Sequence, residues 1–345
     1  MKRGFSIILC CYNSADLLPQ TLKGLASLEV PPGLGVELLV IDNASTDQTA
    51  AIAKASWEDS GAPYSLTIYQ EPVAGLSYAR KTGIRKASYE YLLFCDDDNW
   101  LAADYLTVAE KLLNADPGIG MLGGNGEGIS QDPIPGWTSA FQLFGCGPQA
   151  AQTGKAEALY GAGMILCRSA FRRLEAAEFD FQLTDRKGLL LSSGGDYELS
   201  YAIRLAGYQV WYSADLHFKH YIRPSRLTFG YYKKYVRETA GSNDILSIYL
   251  QVLKHPGENF GYYFFRQVWQ GLHHLKTLLV LGFPLVFYRV TRGRSSFGQW
   301  IPVYYHAIRI FQVFGFIPKS RKYFSAIKKL KQQLNDLPAN GASAK

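Results

Sequence analysis

Apolar runs that end in polar side chains alternate with stretches of helical periodicity over the first hundred residues. The runs that predict strands are residues 5–10, 37–41, 66–70 and 91–95. Between the first two runs, leucines recur every three or four positions, at Leu18, Leu22, Leu25 and Leu28. Continuous apolar strands separated by amphipathic helices are typical of a parallel sheet that is covered on both faces.

The pattern becomes less regular after residue 100. Five further segments have a local signal: a helix over 101–113, a glycine-rich stretch over 119–128, a strand-like run over 160–167, a helix over 169–177 and a strand over 208–213. The predicted fold class is α/β, with a Rossmann-like, mostly parallel central sheet flanked by helices and a helical C-terminal extension.

Three consecutive carboxylates, Asp96, Asp97 and Asp98, follow the fourth predicted strand. Burying one unpaired carboxylate costs several kcal/mol, and adjacent carboxylates repel each other. We therefore expect the cluster at the mouth of the sheet, where Mn²⁺ or Mg²⁺ can neutralise it and bridge to phosphates. A solvated turn that caps the next helix is an equally good explanation of these residues taken alone.

Other polar side chains stand at the ends of neighbouring strands. Tyr12 and Asn13 follow the first strand, and Asp42 follows the second. Ligands of open α/β sheets bind outside the carboxyl ends of the strands, so these residues are expected to converge with the acidic cluster on one crevice. The sequence has neither a GxGxxG after the first strand nor a Walker A motif, which favours a metal as the group that holds phosphates.

A fourth aspartate, Asp196, follows two glycines and stands at the predicted N-cap of a helix. It is either a simple helix cap or a general base held at a helix N-terminus. His217 and His220 follow the strand over 208–213. They are either structural residues or, beside a metal crevice, ligands.

The last third of the chain is basic and aromatic. Of all 345 residues 48% are hydrophobic and 19% charged, which is typical of a globular protein, and the net charge is +7. We predict helices over 223–334 that lie in the interface of an anionic membrane, with ordinary helices packed on the core as the alternative. The apolar run over 277–288 contains Pro284 and is too short to span a bilayer. Residues 335–345 are expected to be a disordered tail.

Five cysteines occur without CxxC spacing, and Cys10, Cys95 and Cys167 lie in strand-like runs. We interpret these three as small buried hydrophobic residues of a protein in a reducing compartment. The apolar run at the N-terminus is too short for a signal peptide.

Six segments occur together in the order and spacing of one known family: CCYNSADLLPQTL, LLVIDNASTDQT, AGLSYARKTGI, LLFCDDDNW, YGAGMILCRSA and GGDYELSYAIRLAGYQV. The chain resembles glycosyltransferase family 2, a family of inverting enzymes with the GT-A fold. The resemblance covers roughly residues 4–222, so residues 1–222 are the expected catalytic domain.

The resemblance implies a role for each matching residue. The nucleotide-sugar donor would contact Cys11, Tyr12, Asn13, Asp42, Arg80, Asp96 and Asp97. The divalent cation on its diphosphate would be held by Asp98 and Asp96, with His220 nearby. Asp196 matches the general base, and the acceptor side would include Gly163, Gly195 and Tyr197.

Two positions depart from the family pattern. The glutamate that normally precedes the base is Gly195, and an arginine often found six residues after the base is Ala202. The second departure leaves Arg204 or Lys219 as the candidate anchor of the diphosphate or the acceptor.

The expected function is transfer of a sugar, with inversion, from a UDP-sugar to a hydroxyl of a glycan or lipid-linked acceptor, in bacterial surface polysaccharide biosynthesis. The expected location is the cytoplasm, on the inner face of the plasma membrane. A nucleotidyltransferase of similar topology would need a glycine-rich, basic loop after the first strand, which CCYNSADLL lacks. A nucleic-acid-binding protein would need a basic crevice, whereas this one is predicted to be acidic.

Overall fold

The described part of the chain contains a nine-stranded mixed sheet. The computed structural model describes residues 2–141, 144–183, 185, 186, 191, 193–292 and 297–338. The strands are β1 (Lys2–Cys11), β2 (Gly35–Asn43), β3 (Ser65–Glu71), β4 (Tyr89–Asp96), β5 (Asn99–Leu101), β6 (Ile119–Ile129), β7 (Gly154–Lys155), β8 (Ile165–Cys167) and β9 (Gln209–Tyr221). The helices are α1 (Leu18–Ala26), α2 (Thr49–Asp59), α3 (Leu76–Lys86), α4 (Tyr105–Ala115), α5 (Arg168–Ala176), α6 (Gly195–Leu205), α7 (Phe229–Thr239), α8 (Ser242–Lys254), α9 (Phe260–Arg292) and α10 (Phe297–Asp336).

The strand order is β3-β2-β1-β4-β8-β6-β9-β5, and β7 pairs with β9. The first four strands pair parallel, as predicted, because a helix after each of β1, β2 and β3 carries the chain back to the end of the sheet where the next strand begins. Beyond β4 the sheet is mixed, since β8 runs antiparallel to both β4 and β6. The predicted α/β class is confirmed, and the predicted helical C-terminal region is present in α7–α10.

Several boundaries predicted beyond the fourth strand are wrong. Residues 99–101 form β5 instead of starting a helix, and α4 begins only at Tyr105. The strand predicted over 208–213 continues to Tyr221, because its second half pairs with β5 and β6. The run over 160–167 is a strand only in its last three residues. Pairing with distant strands decides these ends, and a local hydrophobic pattern does not encode it.

A buried ion pair attaches α10 to α8. Arg309 lies 2.7 Å from Asp244, and their side chains are only 3% and 1% exposed. Arg309 also donates to the carbonyl oxygen of Ala240 at 2.5 Å. Because a lone buried charge is strongly unfavourable, this pair holds α10 in one position against α8.

The end of α10 lies further along the chain than predicted. The helix reaches Asp336, so it includes the first two residues of the predicted tail, and residues 339–345 lie outside the described part of the chain. Among the described residues, every strand precedes residue 222 and every helix from α7 onward follows it. The division of the chain into a catalytic domain over residues 1–222 and a helical extension over residues 223–334 stays a prediction.

α9 exposes an apolar surface. By length and composition alone, residues Phe260–Arg289 could cross a membrane. Only 17% of the most apolar 18 consecutive residues of this stretch are buried in the protein. The prediction that this region is too short to span a bilayer considered only the run over 277–288, whereas the helix continues the apolar surface on both sides of Lys276. The most exposed side chains here are Phe265, Trp269, Phe283 and Phe287.

We predict that the close contact between α3 and β1 requires glycine at position 83. A Cβ added to Gly83 would overlap the buried side chain of Ile8. Gly83→Ala is expected to lower the free energy of unfolding by about 1–3 kcal/mol through overpacking. Gly24→Ala in α1 is the matched control, because nothing lies within 4 Å of its added methyl group. Urea unfolding measures both, and equal effects would contradict the close packing.

Candidate functional site

A cavity of about 300 Å³ opens at the carboxyl ends of β1, β2 and β4. Its lining includes eight of the predicted site residues: Cys11, Tyr12, Arg80, Asp96, Asp97, Asp98, Asp196 and His220. The parallel strands end at the same edge of the sheet, so their last residues meet there. Asn13, Asp42, Gly163, Gly195 and Tyr197 are not among the described lining residues.

The turns after β1 and β2 are tied together through Asn13. Asn13 has a φ of 51°, a left-handed conformation that asparagine tolerates. Its amide donates to Ser45 Oγ at 3.0 Å, and its Oδ1 accepts from the Thr46 amide at 2.7 Å. Asn13 therefore stabilises the turn at the edge of the cavity without lining it. Tyr12, the residue before it, is exposed at the opening.

Asn43 was not among the predicted site residues, but it lines the cavity, whereas the preceding residue Asp42 does not. The carboxylate of Asp42 is buried and accepts from Gln70 Nε2 at 2.9 Å. Asn43 donates to the carbonyl oxygen of Val73 and accepts from the Gly75 amide, both at 2.7 Å. Asn43 thus holds the segment before α3 as one wall of the cavity.

The three adjacent carboxylates have different partners. Ser14 donates a hydrogen bond to Asp97. Asp98 is buried, and both His220 Nε2 and Arg226 Nη1 lie 3.3 Å from its oxygens. Pairing of β5 with β9 sets Asn99 opposite His220, which explains why a residue so distant in sequence reaches the cluster. Within the described chain, the Asp96 carboxylate makes no hydrogen bond or ion pair, and it lines the cavity.

The partners of these carboxylates set their protonation. Burial opposes ionisation of Asp98, but the charges of His220 and Arg226 hold its pKa well below the usual range. Burial likewise disfavours the charged imidazole, yet Asp98 raises the pKa of His220 to about 10. Burial and the neighbouring Asp98 raise the pKa of Asp97 to about 7. A protonated His220 donates to Asp98, so the predicted ligand role of His220 would require it to lose that proton.

The described residues contain no group of three or more His, Cys, Asp or Glu placed to hold a metal ion. Mg²⁺ commonly uses only one or two carboxylates of a protein and takes its remaining oxygens from phosphates and water. The free carboxylate of Asp96, beside that of Asp98, provides such a partial set of oxygen ligands. The residues therefore fit a divalent cation that is completed by a phosphate ligand.

Arg80 of α3 connects two carboxylates on the opposite side of the cavity. Its guanidinium forms ion pairs with Asp196 and, at 3.0 Å, with Asp185. Asp185 is buried, whereas the side chain of Asp196 is 22% exposed to the cavity. The Gly161 amide donates to Asp196 Oδ2 at 2.9 Å, so this carboxylate is held at two points.

The prediction that Asp196 is the N-cap of α6 is wrong, whereas the acceptor-side roles of Gly195 and Gly163 stay predictions. Gly194 occupies the N-cap position, and Asp196 lies in the first turn. The buried carboxylate of Asp185 accepts from the Gly195 amide at 2.9 Å and fills the space that a side chain at 195 would need. Gly163 packs away from the cavity, with its carbonyl accepting from Tyr105, and Gly161 takes the place beside Asp196.

Arg80 and His220 line the cavity as predicted, but neither Arg204 nor Lys219 does. Arg204 donates to the carbonyl oxygen of Glu157, and Lys219 lies on β9 outside this cavity. Arg186 and Arg226 line it instead. Neither stands in a recognisable motif, so the sequence carried no signal for them.

Comparison with known proteins agrees with this architecture. The solved structures with a similar fold include TarS 1-349 of S. aureus in complex with UDP-GlcNAc, with a TM-score of 0.53, 15% identity and coverage of 96% of this chain and 90% of that chain. They also include the mannosyltransferase PcManGT from Pyrobaculum calidifontis in complex with GDP-Man and Mn²⁺, with a TM-score of 0.52, 18% identity and coverage of 95% and 74%. The fold is the GT-A fold of glycosyltransferases.

Residues 6–174 match the family described as Glycosyl transferase family 2, and the chain belongs to this family. Poly-beta-1,6-N-acetyl-D-glucosamine synthase of Staphylococcus aureus (strain MSSA476) is 25% identical over 248 residues, which are 70% of this chain and 55% of that protein. The synthase of the same name from Staphylococcus epidermidis is 27% identical over 146 residues, 41% of this chain and 34% of that protein. The chain therefore spans about a third to a half of the length of these relatives.

We predict that Arg80 is essential for stability because the carboxylate of Asp185 is buried, with only 5% of its side chain exposed. Arg80→Met leaves Asp185 buried without its cation, which is expected to cost about 3–5 kcal/mol of unfolding free energy. Lys81→Met is the matched control at the next position. It breaks an exposed pair with Asp180, whose side chains are 37% and 73% exposed, and should cost less than about 1 kcal/mol. Urea unfolding compares the two, and a small loss for Arg80→Met would contradict this account.

Proposed function

We propose that the protein transfers a sugar from a nucleoside-diphosphate sugar, most simply a UDP-sugar, to a hydroxyl group with inversion. The observation that carries the proposal is that Asp196 and the acidic cluster line one cavity at the carboxyl edge of the sheet. The names of the relatives, which are polysaccharide synthases, support a role in bacterial surface polysaccharide biosynthesis. The nucleotide sugars in the structures of similar fold support the class of donor.

The donor occupies the cavity between the turn after β1 and the acidic cluster. Cys11, Tyr12 and Asn43 line the part of the cavity suited to a base and ribose. Asp42 and Asn13 do not line it, but their hydrogen bonds to Gln70 and Ser45 stabilise the segments that do. Arg186 and Arg226 line the same cavity and are suited to the oxygens of a diphosphate. In this proposal, the pairing of Arg226 with Asp98 brings that cation to the site before the donor binds.

Asp96 and Asp98 would hold the divalent cation, Mn²⁺ or Mg²⁺. When bound, it would neutralise the charge that develops on the leaving diphosphate. Asp97 accepts from Ser14, which attaches the turn of the acidic cluster to the segment that leads into α1. Thr21 donates to the Asp97 carbonyl oxygen at 2.5 Å, which further secures this turn.

Asp196 is the general base of the proposal. In inverting transfer the acceptor oxygen attacks the anomeric carbon directly, so one carboxylate must take the proton from the acceptor hydroxyl. Arg80 and the Gly161 amide hold the Asp196 side chain, and its exposed part faces the cavity. The proton passes from the acceptor oxygen to Asp196 as the bond to the leaving phosphate breaks.

We also propose a peripheral attachment to the anionic inner face of the plasma membrane. Residues 259–335 contain twelve Lys and Arg and no Asp or Glu. The same stretch carries exposed apolar side chains on α9 and α10, among them Phe265, Trp269, Phe283 and Phe311. A basic, aromatic surface of this kind fits anionic headgroups and the boundary of the acyl chains. The cell compartment of the proposal is the cytoplasm.

Asp196→Asn is expected to keep donor binding and to lower the rate of sugar transfer by about 10²–10⁴-fold, because the amide cannot accept the proton. Transfer rates with UDP- and GDP-sugars measure the loss. Asp215→Asn, an exposed aspartate in β9, is the control and should be silent. Transfer by the Asp196 variant at a rate near that of the unmodified protein would remove this residue from the mechanism.

A separate prediction concerns the proposed cation site and the melting temperature of the protein. UDP and Mn²⁺ together are expected to raise the melting temperature, with neither sufficient alone and with EDTA abolishing the shift. Asp96→Asn should lose most of the shift while folding normally, because this carboxylate has no partner in the described chain. Asp104→Asn, at the exposed start of α4, is the control. If UDP raises the melting temperature equally with Mn²⁺, without Mn²⁺ and with EDTA, the proposed metal site is wrong.

A further inference from the structure

A second cavity, of about 470 Å³, lies between the catalytic core and the C-terminal helices. Its walls come from α6, α7 and α8, and Gln270 of α9 and Tyr305 of α10 close the far side. We call it the tyrosine cavity, after the five tyrosines that line it: Tyr197, Tyr201, Tyr232, Tyr235 and Tyr305.

The tyrosine cavity adjoins the donor cavity. Ser193 lines both. Gly194, the N-cap of α6, lines the tyrosine cavity two residues before Asp196, and Tyr197 lines it one residue after. A ligand in the tyrosine cavity can therefore place a hydroxyl group near Asp196 by passing Ser193.

The two cavities have opposite chemistry. The donor cavity is lined by five aspartates together with Arg80, Arg186, Arg226 and His220. Among the described residues that line the tyrosine cavity there is no charged side chain, and its polar groups are hydroxyls and amides, such as Thr239, Asn243 and Gln270. Burial raises the pKa of Tyr197 to about 12, so its hydroxyl stays neutral. The lining suits a neutral ligand and disfavours a second nucleotide.

The combination of flat aromatic rings with neutral hydrogen-bonding groups matches a sugar. Tyrosine rings cover the apolar face of a pyranose, and their hydroxyl groups reach its polar edge. Tyr235 stacks on Tyr231 with ring centroids 6.5 Å apart, which fixes the plane of the ring that faces the cavity. The volume is within the range of sites for small ligands.

We propose that the tyrosine cavity binds the acceptor sugar and delivers its hydroxyl group to Asp196. The proposal rests on the proposed glycosyltransferase function and names the site of the second substrate. Free saccharides and sugars on a membrane lipid share this chemistry. The far wall is built from α9 and α10, whose outer surfaces expose apolar side chains, so the cavity lies beside the surface that we assign to the membrane.

The test measures sugar binding directly. Methyl β-glycosides of glucose, galactose and N-acetylglucosamine are the soluble probes, detected by saturation-transfer NMR. The second arm offers dodecyl β-glycosides of the same sugars in vesicles containing phosphatidylglycerol. Binding in the first arm identifies free saccharides as sufficient, and binding only in the second identifies a lipid-linked sugar, so both support the site. No binding of any probe in either arm would overturn it.

Two variants locate the binding. Tyr235→Ala removes one ring, and Asn243→Trp fills the cavity from an exposed position at its rim. Both are expected to lower the glycoside signal at least fivefold, whereas Tyr235→Phe, which keeps the ring, should retain most of it. Tyr69→Ala, on β3 and outside the lining of both cavities, is the control. An unchanged signal in both cavity variants would overturn the assignment.

The melting shift with UDP and Mn²⁺ separates this proposal from the proposed function. It should be the same in the unmodified protein, Tyr235→Ala and Asn243→Trp, because the donor cavity is intact in all three. If the unmodified protein shows no such shift but binds glycosides through Tyr235, the glycosyltransferase proposal fails and the sugar site stands. If the shift is present and glycoside binding is unchanged in Tyr235→Ala and Asn243→Trp, only the proposal of the sugar site fails.

Discussion

The balance of charge at the carboxyl edge of the sheet is the constraint on which the site depends. Five aspartates line a cavity of about 300 Å³, and such a group of carboxylates is unfavourable unless cations accompany it. The protein meets this with Arg80 between Asp185 and Asp196, and with His220 and Arg226 on Asp98. Both groups join segments that are far apart in the chain, so the same ion pairs that neutralise the site also hold together the segments that form each side.

One carboxylate, that of Asp96, forms no hydrogen bond or ion pair in the described chain and interacts with Arg80 and Arg186 only over longer distances. Asp96 faces the cavity without a partner in the described chain, while its neighbours Asp97 and Asp98 are engaged. Asp96 and Asp98 could each give an oxygen ligand to a divalent cation, and the arginines beside them could bind the oxygens of the diphosphate that the cation accompanies. The unpaired carboxylate of Asp96 is therefore a structural feature that supports the proposed donor and its cation.

The C-terminal helices contribute in a different way. The buried pair of Arg309 with Asp244 holds α10 against α8, and this packing closes the tyrosine cavity on its far side. A charged donor cavity and a neutral aromatic cavity then meet at Ser193, close to Asp196. Separation of the two chemistries gives each proposed substrate its own place, because a neutral sugar gains little in the charged cavity and a diphosphate would be poorly solvated in the aromatic one.

The sequence by itself determined the strand–helix order of the first hundred residues and the residues at the strand ends. These depend on local hydrophobic periodicity, and the parallel strands bring their ends together in any such sheet. Tertiary structure decided the rest: the extension of β9 to Tyr221, the choice of Arg226 over Arg204, and the filling of the space at Gly195 by Asp185. The Arg226–Asp98 and Arg80–Asp185 contacts join residues 128 and 105 positions apart. No local pattern specifies such partners, because they are selected by the path of the whole chain and by the need to neutralise buried charge.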